Sequence, residues 1–212
     1  MKRTGILMVV SGFSGAGKGT LMKRLLERYD NYALSISMTT REPRPGEEHG
    51  KHYFFVDRDE FEGQIADDGL LEYAEYCGNY YGTPRAYVEK CMEEGRDVIL
   101  EIEIQGALKI KDKFPDTVLV FVTPPDAGEL KRRLTGRGTE TEDVIRERLL
   151  RAVEEARGVE NYDYIVVNDE LDKCVEDIHG IVTASHCRVQ KSIVRIEKIS
   201  KELSDLSKGE EQ

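Results

Sequence analysis

The stretch ILMVVSGFSGAGKGTLMKRLL at positions 6–26 constrains this chain more than any other part of it. Its five leading apolar residues predict a strand buried on both faces, and the run from position 17 onward predicts a helix. A glycine-rich loop ending in a lysine joins the two. Glycine loses more conformational freedom on folding than any other residue, so a purely structural turn gives little reason to gather so many. Gly12 to Gly17 and Lys18 fit G-x-x-x-x-G-K between a strand and a helix, the context in which that spacing cradles phosphate. Backbone N–H groups point inward as an anion nest, the helix N-terminus adds its positive dipole end, and Lys18 reaches the β- and γ-phosphates. The expected phosphate contacts are Gly12, Ser14, Gly15, Ala16, Gly17, Lys18, Gly19 and Thr20. Ser or Thr ordinarily follows the lysine as a Mg²⁺ ligand, whereas here Gly19 follows and Thr20 comes next. Magnesium is therefore expected to keep more water ligands and to rely on the nucleotide phosphates, with Thr20 as the candidate side-chain ligand.

Around this loop, apolar blocks alternate with helical stretches. Strands are predicted at 5–10, 34–38, 97–102, 117–122 and 164–167, and helices at 17–29, 84–94, 105–113, 126–134 and 142–157. Asp126 with Glu129, and Thr139 with Glu142, have the spacing that starts helices. Such alternation implies a layered α/β domain with a parallel sheet. Residues 37–83 break the pattern with a helix at 58–67 and half of the ten tyrosines, which suits a small mixed insertion. The glycine- and threonine-rich segment TGRGTETED at 135–143 is a second interruption. At the end of the chain, Ile196, Ile199, Leu203 and Leu206 form a helical stripe, expected to pack on its own domain, with a dimer contact as the other reading. Residues 208–212 are expected to be a disordered tail.

The composition excludes several classes. The chain has 212 residues and a formal net charge of −10, which argues against a general surface for nucleic acid. Its apolar runs are far shorter than the roughly 18 residues of a membrane span, and the basic start MKRTGILMVV is too short in its apolar part for a signal peptide. A cytoplasmic location is expected. Cys77, Cys91, Cys174 and Cys187 form no C-x-x-C pair, so reduced thiols are expected rather than a disulfide or metal framework. Arginines collected in a few places on an acidic chain point to a local anion site for small molecules. Arg41, Arg44 and Tyr53 lie close together in sequence, and guanidinium groups grip phosphate through paired donors. Glu101 and Glu103 close an apolar strand two residues apart, so they are expected on one face at a strand C-terminus, where ligands sit in open α/β sheets.

Four segments, SGFSGAGKGTLMKRLL, SISMTTREPRPGEEHGKHYFF, LLEYAEYCGNYYGTP and GRGTETEDVIRERL, together resemble guanylate kinase in register from residue 5 to about 185. The resemblance implies a P-loop three-layer α/β fold with a five-stranded parallel sheet, a GMP-binding insertion and a helical lid. The implied division is core at 1–36, insertion at 37–83, core at 84–134, lid and lid helix at 135–157, and core with a C-terminal helix at 158–207. It implies Mg²⁺-dependent phosphoryl transfer from ATP to GMP, by a monomer or homodimer. Arg41, Arg44, Tyr53 and Tyr81 are implied to hold the GMP phosphate. Glu72 would accept from guanine N1–H and the 2-amino group, and Ser37 and Thr83 would donate to O6. The family usually carries aspartates where Glu101 and Glu103 stand, so their reach toward GMP is longer by a methylene. Arg137 and Arg148 are implied to close on the transferring group beside Lys18 and Arg44, with Arg133 assisting. Within the lid helix, Ile145, Leu149, Val153 and Ala156 are read as the apolar stripe, which leaves Arg148 accessible. Asn168 and Asp169 are implied beside the adenine of ATP, and an Asn-Asp pair after a strand is equally a helix cap. Two other readings use the same fold: a non-catalytic phosphopeptide-binding module, and a kinase of another small phosphorylated acceptor.

Overall fold

A computed structural model of the chain describes residues 4–76, 78–136 and 142–209. Its centre is a parallel sheet of five strands, β1 (Leu7–Gly12), β2 (Tyr32–Leu34), β7 (Asp97–Glu101), β8 (Val118–Thr123) and β9 (Tyr164–Val167), in the order β2-β7-β1-β8-β9. Alternate residues of β1 enter different cores. Met8 and Val10 pack under α1 (Lys18–Arg28) and α7 (Leu171–His186), with Leu21, Leu25, Val175 and Ile178. Leu7 and Val9 pack under α3 (Arg85–Glu93) and α4 (Ile104–Lys113), with Val88, Cys91, Ala107 and Ile110. A strand covered on both faces must be apolar on both, which is why 6–10 shows no alternation. The fold is the P-loop α/β architecture expected from the sequence.

The second sheet combines β3 (Met38–Thr39), β4 (Phe54–Phe55), β5 (Leu70–Tyr76) and β6 (Asn79–Pro84) in the order β4-β3-β6-β5. It has its own small core, in which Met38 and Leu70 meet Phe61 of α2 (Arg58–Ala66). Asp57 caps α2 by accepting from Glu60 N–H at 2.8 Å. The strand predicted at 34–38 is two strands in two sheets. Ser35 N–H still donates to Ile99 of the main sheet at 2.8 Å, whereas Phe54 N–H donates to Ser37 of the second. The connection 35–37 is therefore where the chain passes from one sheet to the other.

Two further elements complete the site. Asp126 caps α5 (Ala127–Thr135) by accepting from Glu129 N–H at 2.8 Å, as its spacing predicts. Helix α6 (Glu142–Ala156) packs on α5 and on Phe13 through Ile145, Leu149 and Ala152. Val153 and Ala156, expected in the buried stripe, are exposed; the helix is turned so that Ala152 makes the close contact and Glu155 follows it inward. The predicted Thr139 cap lies outside the described residues, as do Arg137 and Cys77. Cys91 and Cys174 are buried free thiols, and Cys187 is an exposed one.

Helix α7 has no counterpart among the predicted helices. Helix α8 (Val189–Gly209) exists, but its stripe does not pack on its own domain: Ile196 is 54% exposed and Leu203 60%. Residues 208–209, expected in the tail, belong to this helix, and 210–212 lie outside the described residues. No helix among the described residues is long and apolar enough to cross a membrane.

Candidate active site

The loop between β1 and α1 adopts a conformation that depends on glycine. Gly15 and Gly17 have φ of 91° and 89°, which side-chain-bearing residues rarely adopt. At Gly12 the limit is space, since a Cβ would stand 2.2 Å from the Val122 carbonyl oxygen. Lys18 Nζ turns back over the loop and donates to Gly12 O at 2.7 Å and Phe13 O at 3.2 Å. Its ammonium borders a cavity of about 270 Å³ shared with Ser14, Glu101, Glu103, Arg151 and Glu155. Burial pulls the Lys18 ammonium below the ordinary lysine range, against the opposing pull of Glu101, Glu155 and Glu103. The same desolvation pushes the Glu101 and Glu155 carboxyls upward, with Lys18 opposing it at both.

Three contacts brace the loop from behind. Asn168 Nδ2 donates to Ala16 O at 2.8 Å. Arg133 donates to Ala16 O at 3.3 Å, to Asn168 O at 2.9 Å and to Glu129 at 2.6 Å. Leu134 of α5 lies where a Cβ on Gly15 would be 2.9 Å from its Cδ2. The capping role expected of Asn168 and Asp169 is not observed. The N-cap of α7 is Glu170, which makes no side-chain cap bond, because Asn168 is turned inward to the loop carbonyl. Asp169 is exposed at the end of β9, beside Lys173. Thr20 is exposed in the first turn of α1, and a side chain at Gly19 would enter open space.

Helix α6 reaches the loop from the opposite side. Arg148 Nη1 lies 3.5 Å from Ser14 Oγ, at the outer limit of a hydrogen bond. Arg151 pairs with Glu103 and lies 3.6 Å from Glu155. Glu155 Oε2 is buried with no hydrogen-bond partner. The pairing of Glu101 and Glu103 on one strand face does not hold. β7 ends at Glu101, and Glu103 is the N-cap residue of α4 with φ −77°, so strand alternation no longer relates them.

A second cavity, about 380 Å³, opens between the two sheets and is lined by Ser35, Ser37, His52, Tyr53, Thr83 and Glu101 among others. Glu101 and Ile102 border both cavities, so the two spaces meet at the C-terminal end of β7. Behind the second, Thr83 Oγ1 donates to Glu72 Oε1 at 2.8 Å. Burial raises the Glu72 carboxyl above its usual range, with Thr83 and then Lys109 opposing. Arg41 is held 2.9 Å from Glu47 and stacks over Tyr53, 5.4 Å from the ring centre. Tyr53 meets Tyr81 edge to face at 6.1 Å. Glu47 also accepts from the Arg44 N–H at 2.7 Å. Its hydrogen bonds from Arg41 and then Arg44 hold its carboxyl down at about 2.

The structure thus gathers Lys18, Ser14, Glu101 and Glu103 at one cavity, with Arg148 approaching it at Ser14, and Ser37, Tyr53, Thr83 and Glu101 at the other. Arg44 is exposed and lines neither cavity. Sequence reasoning missed Glu47, Ser35 and Glu155, and counted Arg151 only as one of the arginines gathered at positions 132–151. Glu47 was legible as a carboxylate three residues beyond Arg44, and Glu155 as the position three residues beyond Ala152 on the helix face. The Ser35 Oγ, buried and without a partner, carried no local signal.

A family model described as guanylate kinase matches residues 4–185. A guanylate kinase of Lactococcus lactis subsp. lactis is 53% identical over 195 residues, covering 92% of this chain and 95% of its own length. One from Latilactobacillus sakei subsp. sakei is 50% identical over 200 residues, covering 94% and 98%. The crystal structure of guanylate kinase from Anaplasma phagocytophilum superposes with a TM-score of 0.68 at 34% identity, covering 88% of this chain and 89% of that one. With the matched family model spanning the P-loop, both cavities and the lid helix, the chain belongs to the guanylate kinase family.

Proposed function

We propose that this enzyme transfers the γ-phosphoryl group of ATP in line to GMP, and to dGMP, giving ADP and GDP in the cytoplasm. One observation carries the reading: the phosphate-loop cavity and the cavity backed by Glu72 meet at Glu101 and Ile102. A donor in one and an acceptor in the other face each other across that junction.

In this reading Gly12, Ser14, Gly15, Ala16, Gly17, Gly19 and Thr20 surround the ATP phosphates, and Lys18 leaves its loop carbonyls to bridge β- and γ-oxygens. Arg41, Arg44, Tyr53 and Tyr81 hold the GMP phosphate, with Glu47 fixing Arg41 before the ligand arrives. Glu72 accepts from guanine N1–H and the 2-amino group, and Ser37 donates to O6; Thr83, expected to share that role, instead gives its one hydroxyl hydrogen to Glu72 Oε1 and orients the carboxylate. Adenine lacks that N1–H, so it would leave the buried carboxylate unpaired, a mismatch that polar sites reject by about 10⁴-fold. The acceptor phosphate, with a second pKa near ~6, is ionised at neutral pH. No general base is required, and catalysis is positioning plus neutralisation of charge on the equatorial oxygens by Lys18, Arg44, Arg137 and Arg148. Arg133 and Asn168 serve ATP by holding the loop, and Asp169 borders the adenine end. The donor set suits Mg²⁺, since Glu101 offers a hard oxygen beside the phosphate cavity and Gly19 leaves room for water ligands. Magnesium held by phosphates, water and Thr20 would withdraw charge from the transferring group, while Glu101, which borders both cavities, orients GMP or magnesium-bound water; Glu103, expected beside GMP, lines the phosphate-loop cavity and pairs with Arg151. Segments 37–83 and 135–157 act as the insertion and lid that close the cleft and exclude water.

The decisive measurement is ADP release with GMP, dGMP, AMP, UMP and CMP as acceptors. GMP and dGMP are expected to be used and AMP to be poor by orders of magnitude. Equal turnover on AMP and GMP would remove the role given to Glu72.

A further inference from the structure

Strand β5 carries one residue more than the strand it pairs with. Leu70 lies opposite Pro84 and Tyr73 opposite Gly82, so Leu71 and Glu72 together face Thr83. Such a bulge bends a strand and re-aims its side chains. Leu71 enters the main core beside Val88, Ala107 and Ile110, which docks β5 on α4. Glu72 takes the Thr83 hydroxyl on Oε1 at 2.8 Å. Its Oε2 lies over the first turn of α4, where a Cβ on Gly106 would stand 3.4 Å from it and 3.2 Å from Ile102 Cδ1. Lys109, three residues along and so on the same face of α4, opposes the upward pull of burial on the Glu72 carboxyl.

Nothing in its backbone requires residue 106 to be glycine. It is the third residue of α4, and its φ is not positive. Glycine is also the poorest helix former after proline. What its missing side chain leaves is room for the carboxylate. We propose that Gly106 is a positioning residue for base choice: it lets Glu72 lie against α4 with Oε1 on Thr83 and a lone pair of each oxygen left for the acceptor base. A methyl at Gly106 would press on Ile102 and Oε2 together, and a branched side chain would push the carboxylate off the helix. The role depends on Glu72 recognising guanine, as proposed above. Guanine N1–H and the 2-amino group are two donors that need both oxygens at one angle. Tilting the carboxylate therefore costs acceptor affinity before it costs phosphoryl transfer.

Acceptor kinetics of Gly106→Ala and Gly106→Val, alone and combined with Glu72→Gln, test this. Both replacements are better helix formers than glycine, and thermal melts check that the fold is kept. KM for GMP is expected to rise several-fold with alanine and by about 10²-fold with valine. It should rise more than kcat falls, and the preference for GMP over AMP should shrink with it. In the Glu72→Gln background the same replacements should change little further, as for two residues acting through one contact. Wild-type KM and preference in both variants overturn the inference; Gly106→Ala carries the test alone if valine prevents folding. An equal rise in the Glu72→Gln background also overturns it, by placing the effect on Ile102, which borders both cavities. Should Glu72→Gln by itself leave the preference for GMP intact, the reading of Glu72 fails instead and takes this role with it.

Discussion

Lys18 and Glu72 are the two residues whose environments shape the chemistry most. Lys18 is the loop's cation, and Lys18→Ala is expected to lower turnover by about 10²–10³-fold with unchanged circular dichroism; an unaltered rate would refute the phosphate-loop assignment. Burial favours the neutral amine, so in the free enzyme kcat/KM for ATP should begin to fall on the alkaline side below the ordinary lysine range. Glu72 behaves in the opposite sense. Its carboxyl is raised by burial, so on acidification it takes up a proton before an ordinary carboxylate does and stops accepting from guanine. KM for GMP should therefore rise on the acid side, and in Glu72→Gln that limb should vanish along with most discrimination against AMP. Glu47, held at about 2, stays charged across the same range, so the Arg41 clamp contributes nothing to that limb. The stability sign follows. A carboxyl raised in the folded state makes folding less favourable as pH climbs from its unfolded to its folded value; Glu72→Gln should flatten that part of the melting-temperature profile. A residue's type and spacing identified these groups, but the Ser35 hydroxyl became visible only when other elements enclosed it.

Helices α5 and α6 act as a unit on the phosphate loop. Leu134 is fully buried between them and the loop, so Leu134→Ala should cost about 2–5 kcal/mol by denaturant unfolding and raise KM for ATP. A stability loss without any change in ATP binding would separate this core from the site. Arg148 enters from α6, and Arg148→Ala should reduce kcat far more than it raises KM for GMP; the reverse result would move Arg148 to the acceptor side. The face of α6 was only half legible. Residues 145, 149, 153 and 156 make the stronger apolar stripe on paper, yet Phe13, Leu130 and Leu134 accept the small Ala152 at close range, and Val153 is left 59% exposed. Helix α7 was signalled only by the Asn168–Asp169 pair read as a cap, and the structure uses that asparagine otherwise: it bonds to the loop carbonyl of Ala16, and the helix starts after Glu170 with no side-chain cap.

For the molecule as a whole, one buried carboxylate ties distant segments together. Asp97, 2% exposed at the start of β7, accepts from Ile6 N–H at 2.8 Å, from Asn31 Nδ2 at 2.9 Å and lies 2.6 Å from His186 Nε2 at the end of α7. His186→Leu should destabilise the fold by about 2–4 kcal/mol by leaving that carboxylate short of a partner, while KM for both nucleotides stays near wild type; a neutral effect on unfolding would dismiss the clamp. The sequence by itself determined what depends on neighbours along the chain: the strand–loop–helix order of the phosphate cradle, the glycines its backbone needs, the cap of α5, and the apolar strands of a sheet covered twice. These are short-range consequences of backbone sterics and hydrogen bonding, readable within a few residues. The tertiary structure alone decided where the run at 34–38 divides, which face of α6 turns inward and that α8 is left uncovered. Each of those outcomes is set by partners far away in the chain, through volumes and hydrogen bonds that no local spacing encodes.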